Sequence, residues 1–203
     1  ALAAAAALPL LAAVAEEAAW LRGPRLGDVR HDRLVVVGDS VAAGIGGVRE
    51  VTWPRMLGER YGVRVDNVAS AGARVANAVA LQLPNVEPGP ALVLLEIGGN
   101  DLLSAVPLEK FEEDLTRLIE GLEGQGRTLV MFELPTPPLR GGYARVQRQV
   151  SRRHRVHLIP RRDFIKVIGD DDATVDGVHL SPMGQRRMAD AVASWLGPHL
   201  GAP

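Results

Sequence analysis

The stretch Leu34-Val35-Val36-Val37-Gly38-Asp39-Ser40 decides how this chain folds. Its four apolar residues, three of which are β-branched, favour a buried β-strand. Because no polar residue alternates with them, we expect the strand to be covered on both faces, as in a parallel sheet flanked by helices. In such sheets ligands bind just beyond the carboxyl ends of the strands. The stretch therefore predicts that Ser40 stands where an active site would form.

The composition indicates an ordinary globular domain and excludes several kinds of site. The chain has 203 residues, of which 47% are hydrophobic and 23% are charged, and its formal net charge is −1. This length suits one domain with a sizeable core, and the near-neutral charge gives no indication of a nucleic-acid partner. No cysteine is present, which excludes disulfides, thiolate catalysis and cysteine metal sites. No spacing of side chains suggests a metal site, and we expect no cofactor.

Residues 1–15 carry no charge and consist mostly of alanine and leucine. They predict an N-terminal apolar helical segment over residues 1–24, followed by a single domain over residues 25–203. The apolar run is short for a transmembrane helix, which needs about 20 apolar residues. Two interpretations stay open: a helix packed on the domain, or the end of a secretion signal or membrane anchor. The second would associate residues 1–22 with a membrane and favours a periplasmic, secreted or membrane-associated protein, with a cytoplasmic one left open. The sequence predicts no oligomeric state.

Strands and helices alternate along the rest of the chain. Apolar runs predict further strands at 63–68, 91–97, 128–132 and 156–159. Amphipathic or capped stretches predict helices at 54–61, 74–81, 108–122, 143–155 and 182–196. This alternation implies right-handed crossovers and a parallel sheet, which gives an α/β fold arranged as a three-layer α/β/α sandwich with five strands.

A serine hydroxyl is a weak nucleophile at neutral pH, so Ser40 would need a neighbouring base. Five histidines occur, and only His179 has a carboxylate three residues earlier with a glycine between the two, at Asp176. This spacing lets the carboxylate fold back onto one ring nitrogen and leaves the other nitrogen free to face Ser40. The alternative interpretation is that Asp176 caps a turn and His179 is a polar loop residue.

Two turns offer hydrogen-bond donors for the oxyanion that ester cleavage creates. Gly72 follows the second predicted strand, and its backbone N–H is not screened by a side chain. Asn100 follows the third strand and carries an amide donor. Each residue also has a simpler interpretation as part of a turn. Both turns nevertheless fall at the end of the sheet that presents Ser40.

The order of these motifs resembles that of a known family, the SGNH hydrolases or GDSL esterases and lipases. Its four blocks are matched by Gly38-Asp39-Ser40, Gly72, Gly98-Gly99-Asn100-Asp101 and Asp176-Gly177-Val178-His179. The string Glu-Ile-Gly-Gly-Asn-Asp at 96–101 is similar to the thioesterase I/lysophospholipase L1 branch. The resemblance implies a flavodoxin-like sheet.

The resemblance also implies roles for individual residues. Ser40 would be the nucleophile, His179 the base and Asp176 its orienting acid. The oxyanion hole would consist of the backbone N–H groups of Ser40 and Gly72 and the side chain of Asn100.

Three further carboxyl residues lie near these motifs. We expect Asp39 and Asp101 to stabilise turns, because aspartate readily accepts hydrogen bonds from nearby backbone N–H groups. Glu96 lies in an apolar strand and should need a buried partner. We assign none of the three a catalytic role.

The residues that follow the strand ends should form the walls of the substrate pocket, and most of them are apolar: Ile45, Leu102, Pro135, Leu139 and Val178. These walls favour a short or medium acyl chain over a sugar. Together with the resemblance, they imply a serine esterase that hydrolyses such acyl esters through a covalent acyl-enzyme, with thioesters or lysophospholipids as further candidate substrates. One alternative is a carbohydrate O-acetylesterase, although an aromatic content of 4% offers few stacking residues for sugars. Another is a lipid- or glycan-binding module without turnover, which would not need a matched serine, histidine and aspartate.

Overall fold

A five-stranded parallel β-sheet forms the centre of the computed structural model, which describes residues 26–45, 51–136, 141–170 and 172–202. The strands run in the order β2-β1-β3-β4-β5, and every neighbouring pair is parallel. Their bounds are β1 Arg33–Gly38, β2 Arg64–Asn67, β3 Ala91–Glu96, β4 Arg127–Phe132 and β5 His157–Ile159. The predicted five-stranded parallel sheet is confirmed, and β1 and β3 lie side by side near its middle.

Helices connect the strands. Those in the described residues include α1 Ser40–Ala43, α2 Trp53–Tyr61, α3 Val75–Asn77, α4 Gly99–Leu103, α5 Leu108–Leu122, α6 Gly142–His154, α7 Arg161–Ile168 and α8 Pro182–Leu196. Across the ranges described, none has the length and apolar character that crossing a bilayer requires. The helical segment predicted over residues 1–24 lies outside the described residues.

The side chains of β1 point alternately into two hydrophobic cores, one on each face of the sheet. Val35 and Val37 pack in one core with α5 and α6, whereas Leu34 and Val36 pack in the other with α2 and α8. Burying each such side chain stabilises the fold by roughly 1.5–3 kcal/mol. Because both faces of β1 are covered, its run of consecutive apolar residues is explained, and the three-layer sandwich is confirmed.

Besides the short helices α1 and α4, for which the sequence predicted no element, two parts of the chain differ from the sequence-based prediction. The helix predicted over 74–81 is present but changes type, because α3 continues as a π-helical turn, Ala78–Gln82, and then as a 3-10 turn, Leu83–Asn85. Gln82 ends this wider π-helical turn, and its side chain points inward and is buried against the end of β1. The second difference is α7, for which the pattern predicted no element, since only Phe164 and Val167 in it are buried.

Candidate active site

Ser40 opens α1 directly after β1, at the carboxyl edge of the sheet. The carboxylate of Asp39 caps this short helix by accepting the Val41 N–H at 3.0 Å. The Asp39 N–H donates to the carbonyl of Glu96, at the end of β3, at 3.1 Å. A Cβ on Gly38 would lie 2.8 Å from that carbonyl oxygen, so glycine is what lets the two strand ends approach this closely. The turn that presents Ser40 is therefore fixed by its neighbour strand.

His179 and Asp176 lie in the loop before α8 and are already paired. His179 Nδ1 is 2.6 Å from Asp176 Oδ2, and the N–H groups of His179 and Val178 donate to Asp176 Oδ1 at 2.9 and 3.1 Å. The hydrogen bond with the His179 side chain, helped by these two N–H groups, lowers the pKa of Asp176 to about 2. Because an ionised carboxylate only accepts, the hydrogen of His179 lies on Nδ1 and its Nε2 is left with a free lone pair.

Ser40 and His179 line the same cavity, which has a volume of about 380 Å³. Asn100 lies on its wall as well. No hydrogen bond in the described part of the chain joins Ser40 Oγ to the His179 ring. Proton transfer therefore requires these two side chains to move within hydrogen-bond distance of each other. A larger, shallower groove of about 800 Å³ lies at the amino ends of β3 and β4, and no described serine or histidine lines it.

The rest of the cavity wall is largely apolar. Three of the predicted lining residues, Leu102, Pro135 and Val178, do line it. Ile45 does not; it lies two residues beyond α1, after the cap residue Gly44, whose φ is +71°. Leu139 lies outside the described residues.

Sequence reasoning missed part of this wall. Phe164 and Ile168, both on α7, line the cavity beside Leu103 and Leu134. Their four-residue spacing places them on one helix face, which was the signal available in the sequence. It was too short a pattern to identify a helix by itself.

Asn100 is brought to the cavity, but both hydrogens of its amide are engaged. Its Nδ2 donates to Asp39 Oδ2 at 3.2 Å and to the carbonyl oxygen of Ala73 at 3.0 Å. The second bond places the Gly72 turn next to Asn100. Gly72 itself has a φ of +74° and is not among the residues that line the cavity. An oxyanion would therefore have to compete for an Asn100 hydrogen.

Gln82 is a buried residue that sequence reasoning did not single out. Its Oε1 accepts the Gly38 N–H at 3.1 Å, and its Nε2 donates to the Gly38 carbonyl at 2.9 Å and to Ser70 Oγ at 3.1 Å. It therefore joins the end of β1 to the turn that contains Gly72. No local pattern shows that a glutamine at the end of a helix points inward.

Two buried carboxyl groups, those of Asp39 and Glu96, lie behind Ser40 and line the cavity. Burial raises the pKa of Asp39, although the Val41 N–H opposes the shift. Burial, together with the nearby Asp39, raises the pKa of Glu96 well above its usual value. Glu96 thus lies near the buried Asp39, but its Oε2 has no hydrogen-bond partner among the described residues, so the expected partner is not found for that oxygen.

Comparisons with known proteins agree with this geometry. The sequence profile of the GDSL-like lipase/acylhydrolase family matches residues 36–187. The chain therefore belongs to this family, and the resemblance seen in its four motifs is confirmed.

Named relatives match over most of their length. The chain is 29% identical over 181 residues to "Esterase TesA" of Pseudomonas aeruginosa, covering 82% of this chain and 89% of that protein. It is 24% identical over 178 residues to "Thioesterase 1/protease 1/lysophospholipase L1" of Escherichia coli, covering 82% of this chain and 84% of the relative. A crystal structure of TesA superposes with a TM-score of 0.73 at 28% identity, over 83% of this chain and 99% of that one.

Proposed function

We propose that this family member is a serine esterase whose catalytic triad is Ser40, His179 and Asp176. Ser40 Oγ attacks the carbonyl carbon of a carboxylic ester while His179 Nε2 takes its proton. The tetrahedral intermediate collapses, the bond to the leaving oxygen breaks, and His179 donates its proton to that oxygen. Water, deprotonated by the same imidazole, then cleaves the Ser40 ester and releases the acid.

The oxyanion of the tetrahedral intermediate is stabilised by the Ser40 N–H group and the Asn100 amide, whose residues line the cavity, and by the Gly72 N–H group once its turn moves toward the cavity, which it does not line. Asn100 contributes by exchanging one of its two protein acceptors, Asp39 or Ala73, for the oxyanion. Hydrogen-bond donors that the folded protein already holds near the oxyanion position stabilise the charge effectively, because no solvent has to reorganise during the reaction.

The observation that carries this proposal is the cavity that Ser40 and His179 share. Its apolar wall and volume of about 380 Å³ favour a short- to medium-chain acyl group, since sites for small molecules start at about 300 Å³. Because one relative is named a thioesterase and lysophospholipase, the proposal includes thioesters and lysophospholipids of the same acyl length.

Hydrolysis of p-nitrophenyl esters from acetyl to palmitoyl tests the proposal. We expect turnover that peaks at short or medium chains and is lost in Ser40→Ala. Ser194→Ala is the matched control, because that hydroxyl is exposed on α8 and donates only to the Ala191 carbonyl. Turnover confined to the acetyl ester would favour a carbohydrate O-acetylesterase. Equal turnover in Ser40→Ala would contradict the assignment of the nucleophile.

A further inference from the structure

Gln82 continues the hydrogen bonding of β1 beyond the end of β2. The last paired residues of these two strands are Val36 and Asn67, whereas β1 runs on to Gly38. There the Gly38 N–H donates to Gln82 Oε1 at 3.1 Å, and the Gly38 carbonyl accepts a hydrogen bond from Gln82 Nε2 at 2.9 Å. Because Gln82 is only 2% exposed, its amide supplies the partners that a neighbouring strand or water would otherwise supply. The backbone at the end of β1 is therefore held by a side chain.

The same amide also reaches the turn that contains Gly72. Its Nε2 donates to Ser70 Oγ at 3.1 Å, and the Ser70 N–H donates to the Gly38 carbonyl at 3.2 Å. At the other end of the turn, the Ala73 N–H donates to the Ser70 carbonyl at 3.2 Å, and the Ala73 carbonyl accepts the Asn100 amide at 3.0 Å. Gly72 lies between these two ends and is exposed. The turn is thus anchored at Ser70 and Ala73.

The two backbone segments that this amide joins both supply N–H groups to the oxyanion in the proposed mechanism. Ser40 follows Gly38 by two residues, and Gly72 follows Ser70 by two. We propose that Gln82 is a positioning residue, which fixes the turn that presents Ser40 relative to the turn that presents Gly72. With Ser70 anchored, the movement that brings the Gly72 N–H toward the cavity is confined to the exposed part of the turn. Displacements of about 1 Å in such groups can lower a reaction rate about 100-fold. The role in turnover rests on the proposed esterase function.

Substitutions at Gln82 and Ser70 test this role. Gln82→Leu removes all three side-chain hydrogen bonds, and we expect kcat on a p-nitrophenyl ester to fall about 10- to 100-fold. Gln82 does not line the cavity, so KM should change little. Ser70→Ala removes only the link between the amide and the turn, and we expect kcat to fall about 3- to 10-fold at an almost unchanged unfolding temperature, because Ser70 is exposed. Ser70→Thr keeps the hydroxyl group and should restore kcat to within about twofold of the parent enzyme.

Gln147, on α6, supplies the matched control. It is fully buried and bonds the end of β4 in the same way, since its Oε1 accepts the Leu134 N–H at 2.8 Å and its Nε2 donates to the Phe132 carbonyl at 3.1 Å. We expect Gln147→Leu to lower the unfolding temperature about as much as Gln82→Leu does, and to leave kcat within about twofold of the parent value.

Hydrogen–deuterium exchange gives a readout that does not depend on turnover. We expect faster exchange over residues 36–43 and 68–75 in Gln82→Leu, over 68–75 alone in Ser70→Ala, and over neither range in Gln147→Leu. Parent exchange rates over 36–43 and 68–75 in Gln82→Leu would overturn the positioning of the two segments even if no ester were hydrolysed. Parent kcat in Gln82→Leu, or an equal fall of kcat in Gln147→Leu, would overturn the role in turnover even if esterase activity itself were confirmed.

Discussion

The two parts of the proposed active site are built in different ways. In the Ser40 region, residues 38–43, 70–73 and 96–103, polar groups are bonded to partners far away in the chain, as Asn100 is to Asp39 and Gln82 is to Gly38. In the His179 region, residues 173–181, the hydrogen bonds close within the loop, as between Asp176 and His179 and from the Val175 N–H to the His179 carbonyl.

The side chains of the two regions also differ in their exposure to solvent. Ser40 and Asp39 are buried, whereas the side chains of His179 and Asp176 are 29% and 50% exposed. Burial and long-range hydrogen bonds couple the Ser40 region to the stability of the whole fold. The His179 region is a local unit, and we expect it to contribute to the proposed chemistry more than to stability, a contrast that can be tested by substitution.

The largest fall in kcat should come from removing Ser40 or His179, the residues through which the two regions act together. We expect Ser40→Ala and His179→Ala each to lower kcat by about a million-fold, and the double variant to lose scarcely more, because the two groups act as a unit. Steady-state and single-turnover assays on a p-nitrophenyl ester measure this. Additive losses in the double variant would mean that the two regions act independently.

A smaller loss should follow from disturbing the His179 region alone. Asp176→Asn would stabilise the wrong imidazole tautomer and should lower kcat by about ten-thousand-fold. The unfolding temperature should hardly change, because Asp176 is exposed and bonded only within its loop. Asp172→Asn is the control, since that exposed carboxylate pairs with Arg187 rather than with the imidazole. A marked fall in unfolding temperature for Asp176→Asn would remove the contrast with the Ser40 region.

The Ser40 region should show activity and stability falling together. Asn100→Ala removes an oxyanion donor and should lower kcat about 100- to 1,000-fold. It also removes the hydrogen bonds to Asp39 Oδ2 and to the Ala73 carbonyl, so the unfolding temperature should drop. Asn85→Ala, in which an exposed amide loses only its bond to the Leu81 carbonyl, is the control for a generic asparagine change. An Asn100→Ala variant with parent stability would show that its hydrogen bonds are not coupled to the fold.

Local patterns predicted the His179 region better than the Ser40 region. The three-residue spacing of Asp176 and His179 indicated their pairing beside the alternative of a turn cap, because the bond closes within one loop; the structure shows both. The bounds of α5 and α8 were also predicted at 108–122 and 182–196, since amphipathic spacing, with Pro182 opening α8, is local information. The engagement of Asn100 and the inward turn of Gln82 depend on partners in other strands, which no window of sequence contains.

The smallest effect concerns how stability depends on pH in each region. Burial raises the pKa of Asp101, which accepts the Val75 N–H at 3.0 Å in the Ser40 region, from 3.8 to about 6. The hydrogen bond to His179 lowers the pKa of Asp176 from 3.8 to about 2. For Asp101 the folded state holds its proton longer than the unfolded chain, so its contribution is complete below about pH 4 and is lost as the pH rises through about 6. For Asp176 the sign is opposite: its contribution is present above about pH 4 and is lost as the pH falls toward 2, and it is small because solvent screens this exposed pair.

Asp101→Asn should therefore stabilise the protein at pH 7, because asparagine cannot ionise and its carbonyl oxygen still accepts the Val75 N–H. We expect an unfolding temperature about 2–4 °C above that of the parent at pH 7 and no difference near pH 4. Calorimetry at both pH values measures this, with Asp176→Asn beside it. Near pH 4 the Asp101 carboxyl is largely protonated in both the folded and the unfolded state, so an effect of ionisation on the unfolding temperature should disappear there. A gain of the same size at pH 4 would therefore show that the effect comes from packing. The Ser40 region would then differ from the His179 region only in its contacts, and not in the free energy needed to ionise a carboxyl group.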